Sequence, residues 1–402
     1  MRPRVPGEPP RAHGMTVGFV AGGALLVLGA VHLLYTYVVY PCMIALLPRR
    51  PPVPSAGMPP RLVSVVIAAR VGEEGIVRKV KNLLETIRLS CEIVVVLDGA
   101  DRDVTADLLG LQDHRVKVKT MWERRGKAVA LNHAVAMTRG EIVVFTDVRQ
   151  DVAAGAVECL VADLASPDMG AVSGSLTLTS APQSESLYER YWLFERWLRS
   201  REAEWDSAVG VTGALYALKR ELWRPLPPGL LLDDVWVPFL VVRAGKRVGF
   251  APRAVTTDAG SRSDASELAR KVRTLTGNYQ LIAWMPWLLH PLKNRIWWQF
   301  ISHKVLRLLT PMAVGFILAG TVVLSGRWGG VVGALAGLGL GAAWVARPAP
   351  SGGPLGTGLL GTVRSGLALF TALMVAALNA VRGRWDVWVD PAHSTFAGPR
   401  RP

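Results

Sequence analysis

The sequence predicts an α/β fold: a doubly wound sheet over residues 61–262, flanked by apolar helices. Three observations predict it. Continuous apolar runs such as "RLVSVVIAA", "EIVVVLDGA" and "EIVVFTD" recur through the middle of the chain. Such runs suit parallel strands covered on both faces. Between them lie segments with apolar residues at helical spacing, and strand–helix alternation of this kind implies right-handed crossovers. On either side of this middle region the chain becomes oily and nearly free of charge.

Taken in order, residues 1–14 form a tail. Residues 15–47 are long enough for one membrane span plus an interfacial turn near Pro41, with Tyr35, Tyr37 and Tyr40 at headgroup level. The run is too long for a cleaved signal peptide. Residues 48–60 read as a Pro-rich linker. The first strand covers residues 61–69, and Ile76, Val80, Leu83, Leu84 and Ile87 then mark a helix over residues 73–89. Strands follow at 92–97, 116–120 and 141–146, with a helix at 126–137. Residues 184–205 spell an aromatic, amphipathic helix that suits either an interface or a core. A helix is expected at 235–243. Residues 263–304 carry basic and interfacial helices; four tryptophans among basic residues, Trp284, Trp287, Trp297 and Trp298, suit an interfacial belt. Residues 305–381 hold apolar runs at 305–324, 329–345 and 365–380, read as three spans whose glycines and alanines permit close packing. Residues 382–402 are a tail.

Composition excludes some classes. The three cysteines, Cys42, Cys91 and Cys159, are scattered, which argues against a disulfide framework or a zinc site. The net charge of +15 is spread along the chain and flanks oily segments, as at Arg49 and Arg50 and across residues 293–307. A nucleic-acid partner, which would need one concentrated patch, is not expected.

The candidate chemistry begins with two strands that both run into aspartate, Asp98 and Asp147. Ligands of open parallel sheets bind outside the carboxyl ends of the strands. Carboxylates beside a phosphate ligand make sense with a divalent cation between them; alone, each aspartate would equally suit a helix cap. Asp233 and Asp234 follow the apolar "PGLLL", which would partly desolvate Asp234 and suit it to general-base work. The competing reading is that both only start the following helix.

Several motifs, in order over roughly residues 62–307, resemble a membrane-anchored family 2 glycosyltransferase related to cellulose, chitin and hyaluronan synthases: "VSVVIAARVGEE", "VLDGA", "RRGKAVALNHAV", "FTDVRQ", "VTGALYALKRELW", "LLDDV" and "RKVRTLTGNYQ". The resemblance implies a GT-A-type nucleotide-sugar-binding domain at 61–262. It implies that Ala69, Glu73, Glu74 and Asp98 line the nucleotide, that Lys127 approaches nucleotide or sugar, and that Gly213 lies in the substrate loop. It further implies that Asp147 holds Mg²⁺ or Mn²⁺, that Asp234 beside Asp233 is the base, and that Arg270 and Arg273 meet the leaving diphosphate. Two departures stand out. Arg149 replaces the second aspartate of the DxD motif and is expected to take over some phosphate neutralisation. Arg273-Thr274 stands where processive members carry Arg-Trp, which counts against polymer synthesis.

The expectation is an inverting transferase using a nucleotide sugar, a UDP-sugar by preference. Its acceptor is a lipid or growing polysaccharide at the membrane, and accessory export proteins are expected partners. It would be a multi-pass protein of the inner (plasma) membrane with a cytoplasmic catalytic domain. The alternative, supported by Arg149, is a catalytically weakened membrane subunit of a polysaccharide synthesis complex that binds nucleotide sugar or partners.

Overall fold

The structure, a computed structural model, describes residues 12–51, 53, 60–70, 74–99, 102–178, 187–258, 264–325 and 359–387. Eight strands form one sheet in the order β3-β2-β1-β4-β7-β6-β8-β5. They are β1 (Val63–Arg70), β2 (Cys91–Asp98), β3 (Val116–Met121), β4 (Ile142–Phe145), β5 (Asp151–Val152), β6 (Met169–Leu178), β7 (Tyr216–Lys219) and β8 (Arg247–Asp258). The first four are parallel, with Val63 opposite both Cys91 and Ile142. This half is the doubly wound unit that the sequence predicts. The other half departs from it: β7 lies antiparallel between β4 and β6, and β5 pairs antiparallel with β8, so the sheet is mixed.

Alternation along β1 explains why the middle strands read as unbroken apolar runs. Val63, Val65, Ile67 and Ala69 pack with α3 (Ile76–Thr86) and α6 (Ala156–Leu164) on one face. Val66 packs on the other with α5 (Lys127–Met137) and α8 (Asp233–Arg243). Both faces are dry, so apolar side chains fill nearly every position; Ser64 is the buried polar exception, donating to Glu92 at 2.6 Å and accepting from Gly140 N at 2.8 Å.

Among the described residues one helix, Gly18–Leu46, is long and apolar enough to cross a membrane. It comprises α1 (Ala12–Leu34), a π-helical turn at Tyr35–Val39 and α2 (Tyr40–Leu46). Pro41 does not break it: it follows just after the π-helical turn, and Val39 and Tyr40 before it both keep helical dihedrals. The span expected from residue 305 is not straight. Helices Trp297–Leu308 and Thr310–Leu324 meet at a bend of 57° beside Pro311, whose ring removes a backbone donor. The apolar run at 329–345 lies outside the described residues, and Gly366–Val381 is a shorter apolar helix within Leu359–Val381.

Two anchors tie the apolar helices to the sheet. The N-terminal part of the Pro-rich stretch is not a free spacer: buried Arg247 donates to the carbonyls of Arg50 (2.9 Å) and Ala203 (3.0 Å) and pairs with Asp168 at 3.0 Å. In α7 (Leu187–Trp205), Glu202 accepts from Tyr40 at 2.6 Å and lies 2.8 Å from fully buried His303, whose other ring nitrogen is 3.1 Å from Glu195. His303 thus ties α7 to the helical segment Trp297–Leu308.

Candidate active site

Strand order reverses between β1 and β4, and at such a switch point the flanking loops part to leave a crevice. Asp98 ends β2 on one side; Asp147 lies just past β4 on the other. The two do different work. Asp98 is buried and accepts from the backbone N–H groups of Arg125 (2.7 Å) and Gly126 (2.9 Å). It thereby sets the turn into α5, where Gly126 takes a φ of +90° that a side chain would resist. Asp147 is 40% exposed at the crevice.

The turn held by Asp98 delivers Lys127 as the first residue of α5. A lysine there opposes the helix dipole, so local propensity does not explain it. Its partners do. The ammonium lies 3.0 Å from Asp147 Oδ1 and 3.2 Å from Asp233 Oδ1. Burial opposes its charge, but Asp147, Asp233 and Asp234 outweigh that and hold it well above the usual lysine range.

Asp233 and Asp234 form the first turn of α8, where the dipole favours carboxylates. That turn is gripped by helix α9 (Asp264–Trp284). Gln280 accepts from Leu231 N at 2.9 Å and donates to Gly229 O at 3.0 Å. A Cβ on Gly277 would stand 2.5 Å from Leu232 Cγ, so only glycine allows this approach. One turn earlier, Arg273 feels the charges of Asp234, Asp147 and Asp233, although burial pulls its own pKa down. Burial, and then the adjacent Asp233, push Asp234 up to about 6 against the pull of Lys127 and Arg273.

Residues 210–214 join the two carboxylates. Val211 N bonds Asp234 O at 2.9 Å, Thr212 N bonds Ser173 Oγ at 3.0 Å, and Thr146 Oγ1 donates to Ala214 O at 2.7 Å. At Gly213 an added Cβ would stand 3.5 Å from Asp147 Oδ2 and 3.7 Å from Asp234 Oδ2. The absent side chain leaves a cradle that both carboxylates face.

Among the described residues, no three His, Cys, Asp or Glu side chains gather to hold a cation by themselves. Asp147 has one oxygen on Lys127 and the other toward the cradle. One carboxylate with diphosphate oxygens and water satisfies Mg²⁺. The residues thus fit a cation held jointly with a diphosphate.

Of the residues singled out from sequence, Asp147, Asp233, Asp234, Lys127, Gly213 and Arg273 come together. Arg270 lies one turn before Arg273 on α9. Ala69 has its side chain in the core, so any ligand contact there is through backbone. Glu74 is exposed in the turn before α3, and Glu73 lies outside the described residues. Arg149 does not face Asp147 but pairs with Asp258.

Three further residues emerge only in three dimensions. Tyr216, on β7, is fully buried, stacks on Phe145 with centroids 4.6 Å apart, and its hydroxyl has no partner among the described residues. Burial and the charges of Asp233, Asp234 and Asp147 hold its phenol well above the ordinary range, so it remains a donor beneath the site. Lys79, fully buried on α3, donates to Gln150 O at 2.5 Å and steadies the segment after Asp147. Gln280 is the third; its motif was visible in the sequence, but its grip on residues 229–231 was not.

Residues 64–218 match the sequence profile of the family described as Glycosyl transferase family 2. No curated protein sequence matches the chain. Among solved structures, the chain is similar to the mannosyltransferase PcManGT from Pyrobaculum calidifontis, in complex with GDP-Man and Mn²⁺. That similarity has a TM-score of 0.65 and 22% identity and covers 91% of this chain and 99% of that one. Glucosyl-3-phosphoglycerate synthase from Mycobacterium tuberculosis, in complex with Mn²⁺, uridine diphosphate and phosphoglyceric acid, matches at a TM-score of 0.39 and 20% identity, over 56% of this chain and 78% of that one. The first similarity shows a shared fold. Residues 64–218 thus match the family 2 glycosyl transferase profile, and the mixed α/β sheet shares its fold with that mannosyltransferase.

Proposed function

We propose that the protein is an inverting glycosyltransferase that moves a sugar from a nucleotide sugar to a membrane-associated acceptor, with Asp234 as general base. The observation that carries the reading is the Gly213 cradle, a single space bordered by Asp147 Oδ2 and Asp234 Oδ2. One carboxylate there serves the donor side and the other the acceptor side. The acceptor hydroxyl gives its proton to Asp234 as its oxygen bonds to the anomeric carbon, and the bond to the nucleoside diphosphate breaks with its electron pair. Asp234 suits this because it is ionised at neutral pH yet more basic than an ordinary aspartate. Lys127 pairs with both Asp147 and Asp233 and holds them in place. Arg273, with Arg270 one turn away, supplies positive charge as the diphosphate leaves. A Mg²⁺ or Mn²⁺ ion, held by Asp147 and the diphosphate, would supply Lewis-acid stabilisation of that leaving group.

A UDP-sugar donor is favoured from the sequence resemblance, and the shared fold with a GDP-Man-bound mannosyltransferase adds GDP-sugars to those worth testing. Membrane association is supported by Gly18–Leu46, which exposes Phe19 (70%) and Leu28 (58%) along its length. A cytoplasmic catalytic domain at the inner membrane, several spans and accessory export partners complete this reading. Arg273-Thr274 favours a single transfer to a lipid over polymer extension.

The test is a screen of UDP- and GDP-sugars for diphosphate release by the detergent-solubilised protein, repeated with Asp234→Asn. The substitution is expected to lower turnover by about 10²–10⁴-fold with nucleotide binding retained. Unchanged turnover on every active donor would remove Asp234 as base and favour the binding-subunit reading, for which Arg149 at the metal loop is the supporting observation.

A further inference from the structure

The proposed mechanism leaves Tyr216 without a task. It lies on β7 opposite Phe145 of β4, two residues short of Asp147, and Gly213 stands three residues before it. Its ring stacks on Phe145, which in turn stacks on Trp223. The same core holds Leu232 and Val235, the residues on either side of Asp233 and Asp234. A phenylalanine would fill this place as well, so packing accounts for the ring and not for the hydroxyl. That hydroxyl is buried and has no partner among the described residues. Burial, and then the charges of Asp233, Asp234 and Asp147 in that order, keep it protonated. A buried donor that makes no hydrogen bond costs free energy, and native folds seldom keep one.

Asp233 is the acceptor within reach of an explanation. It is buried, and its one ion pair among the described residues is the 3.2 Å contact with Lys127. That ammonium is shared, since it also lies 3.0 Å from Asp147. The other charges bearing on Asp233 are Asp234, next to it on α8, and Arg273 on α9. A donor diphosphate entering beside Asp147 attracts the ammonium and loosens its hold on Asp233. A buried carboxylate left so, with a second carboxylate adjacent, takes up a proton that the two then share. A phenol beneath can replace the lost contact. Being neutral, it steadies Asp233 without bringing a positive charge that would weaken Asp234 as a base.

We propose that Tyr216 is a positioning residue whose hydroxyl donates to Asp233 when the donor diphosphate engages Lys127, and so keeps the Asp233–Asp234 pair free to take the acceptor proton. The inference rests on the sugar-transfer reading and deepens it, since it assigns a residue that acts on the proposed base through its neighbour.

The test compares wild type, Tyr216→Phe, Asp233→Asn and the double variant as purified full chains, each with the UDP- or GDP-sugar that wild type turns over. It reads kcat, donor KM, the pH profile and the melting temperature. Tyr216→Phe is expected to lower kcat at neutral pH by about 10-fold with donor KM little changed. Its acid limb should move to higher pH, because a carboxylate that loses a donor holds its proton more tightly. The melting temperature should hold, since the ring still stacks and the hydroxyl removed had no partner. In the Asp233→Asn background the displacement of the acid limb should vanish, because position 233 no longer titrates. An unmoved acid limb in Tyr216→Phe, whatever its melting temperature, reduces Tyr216 to packing and overturns the inference while leaving sugar transfer standing. So does an equal displacement in the Asp233→Asn background. If wild type turns over no nucleotide sugar, the transfer reading falls and takes this inference with it.

Discussion

At the scale of single residues the site is a balance of charge around one missing side chain. Asp234 is pushed up to about 6 by burial and then by Asp233. Under the proposed mechanism its ionised form is the active one, so kcat/KM should fall as pH drops through about 6. Removing the neighbouring negative charge with Asp233→Asn lowers the pKa, and the acid limb should move to lower pH; a pH–rate profile of both proteins checks the sign. Gly213→Ala gives a sharper test. Its Cβ would meet Asp147 Oδ2 at 3.5 Å and Asp234 Oδ2 at 3.7 Å, ordinary contacts that the fold tolerates. Donor turnover should drop while the melting temperature stays unchanged. Most of this cluster was legible in the sequence, because Asp147, Lys127, Asp233 and Asp234 each stand in a short motif. Tyr216 was not: a tyrosine inside an apolar strand reads as core until the fold brings Asp233 and Asp234 near its hydroxyl. Nor was the fate of Arg149, since Asp258 lies 109 residues away in the chain.

Among the secondary elements, α9 decides whether Asp234, the proposed base, is in place. Gly277 lets it approach Leu232, and Gln280 holds the backbone at 229 and 231. Gly277→Ala forces a Cβ to 2.5 Å from Leu232 Cγ and should destabilise the protein by about 1–3 kcal/mol, read as a lowered unfolding midpoint. Gln280→Ala should lower kcat with little change in nucleotide affinity, since it loosens the start of α8 and not the diphosphate side. Within the parallel half, β1, β2 and β4 were predictable strand by strand, because burial on both faces writes itself as a nearly unbroken apolar run, whereas edge strand β3, "VKVKTM", alternates and is only half-buried. The antiparallel insertion of β7 was not, because "LYALK" carries the same apolar signature in either direction and only pairing with β4 and β6 fixes it. The bend at Pro311 was visible as a residue but was read through as part of a continuous oily run.

At the level of the whole molecule, the apolar ends are built for close contact with each other. Gly29 of α1 leaves a Cβ position 2.5 Å from Ala313 O, and Gly320 leaves one 2.5 Å from Gly22 O. Helices this close gain dispersion and exclude bulk at the seam. Gly320→Val should therefore lower the melting temperature in detergent, measured by intrinsic fluorescence. If the proposed membrane association holds, the full chain should stay with the pellet after an alkaline carbonate wash. Two stitches join these helices to the catalytic sheet: Arg247 against the carbonyls of Arg50 and Ala203, and Glu202 against Tyr40 and His303. A domain pinned this way has no slack leash on which to wander. If the proposed transfer at a membrane holds, its opening keeps a constant height and heading relative to the N-terminal oily helix, so its reach is set like a fixed stylus, and an acceptor must present its hydroxyl at that one depth.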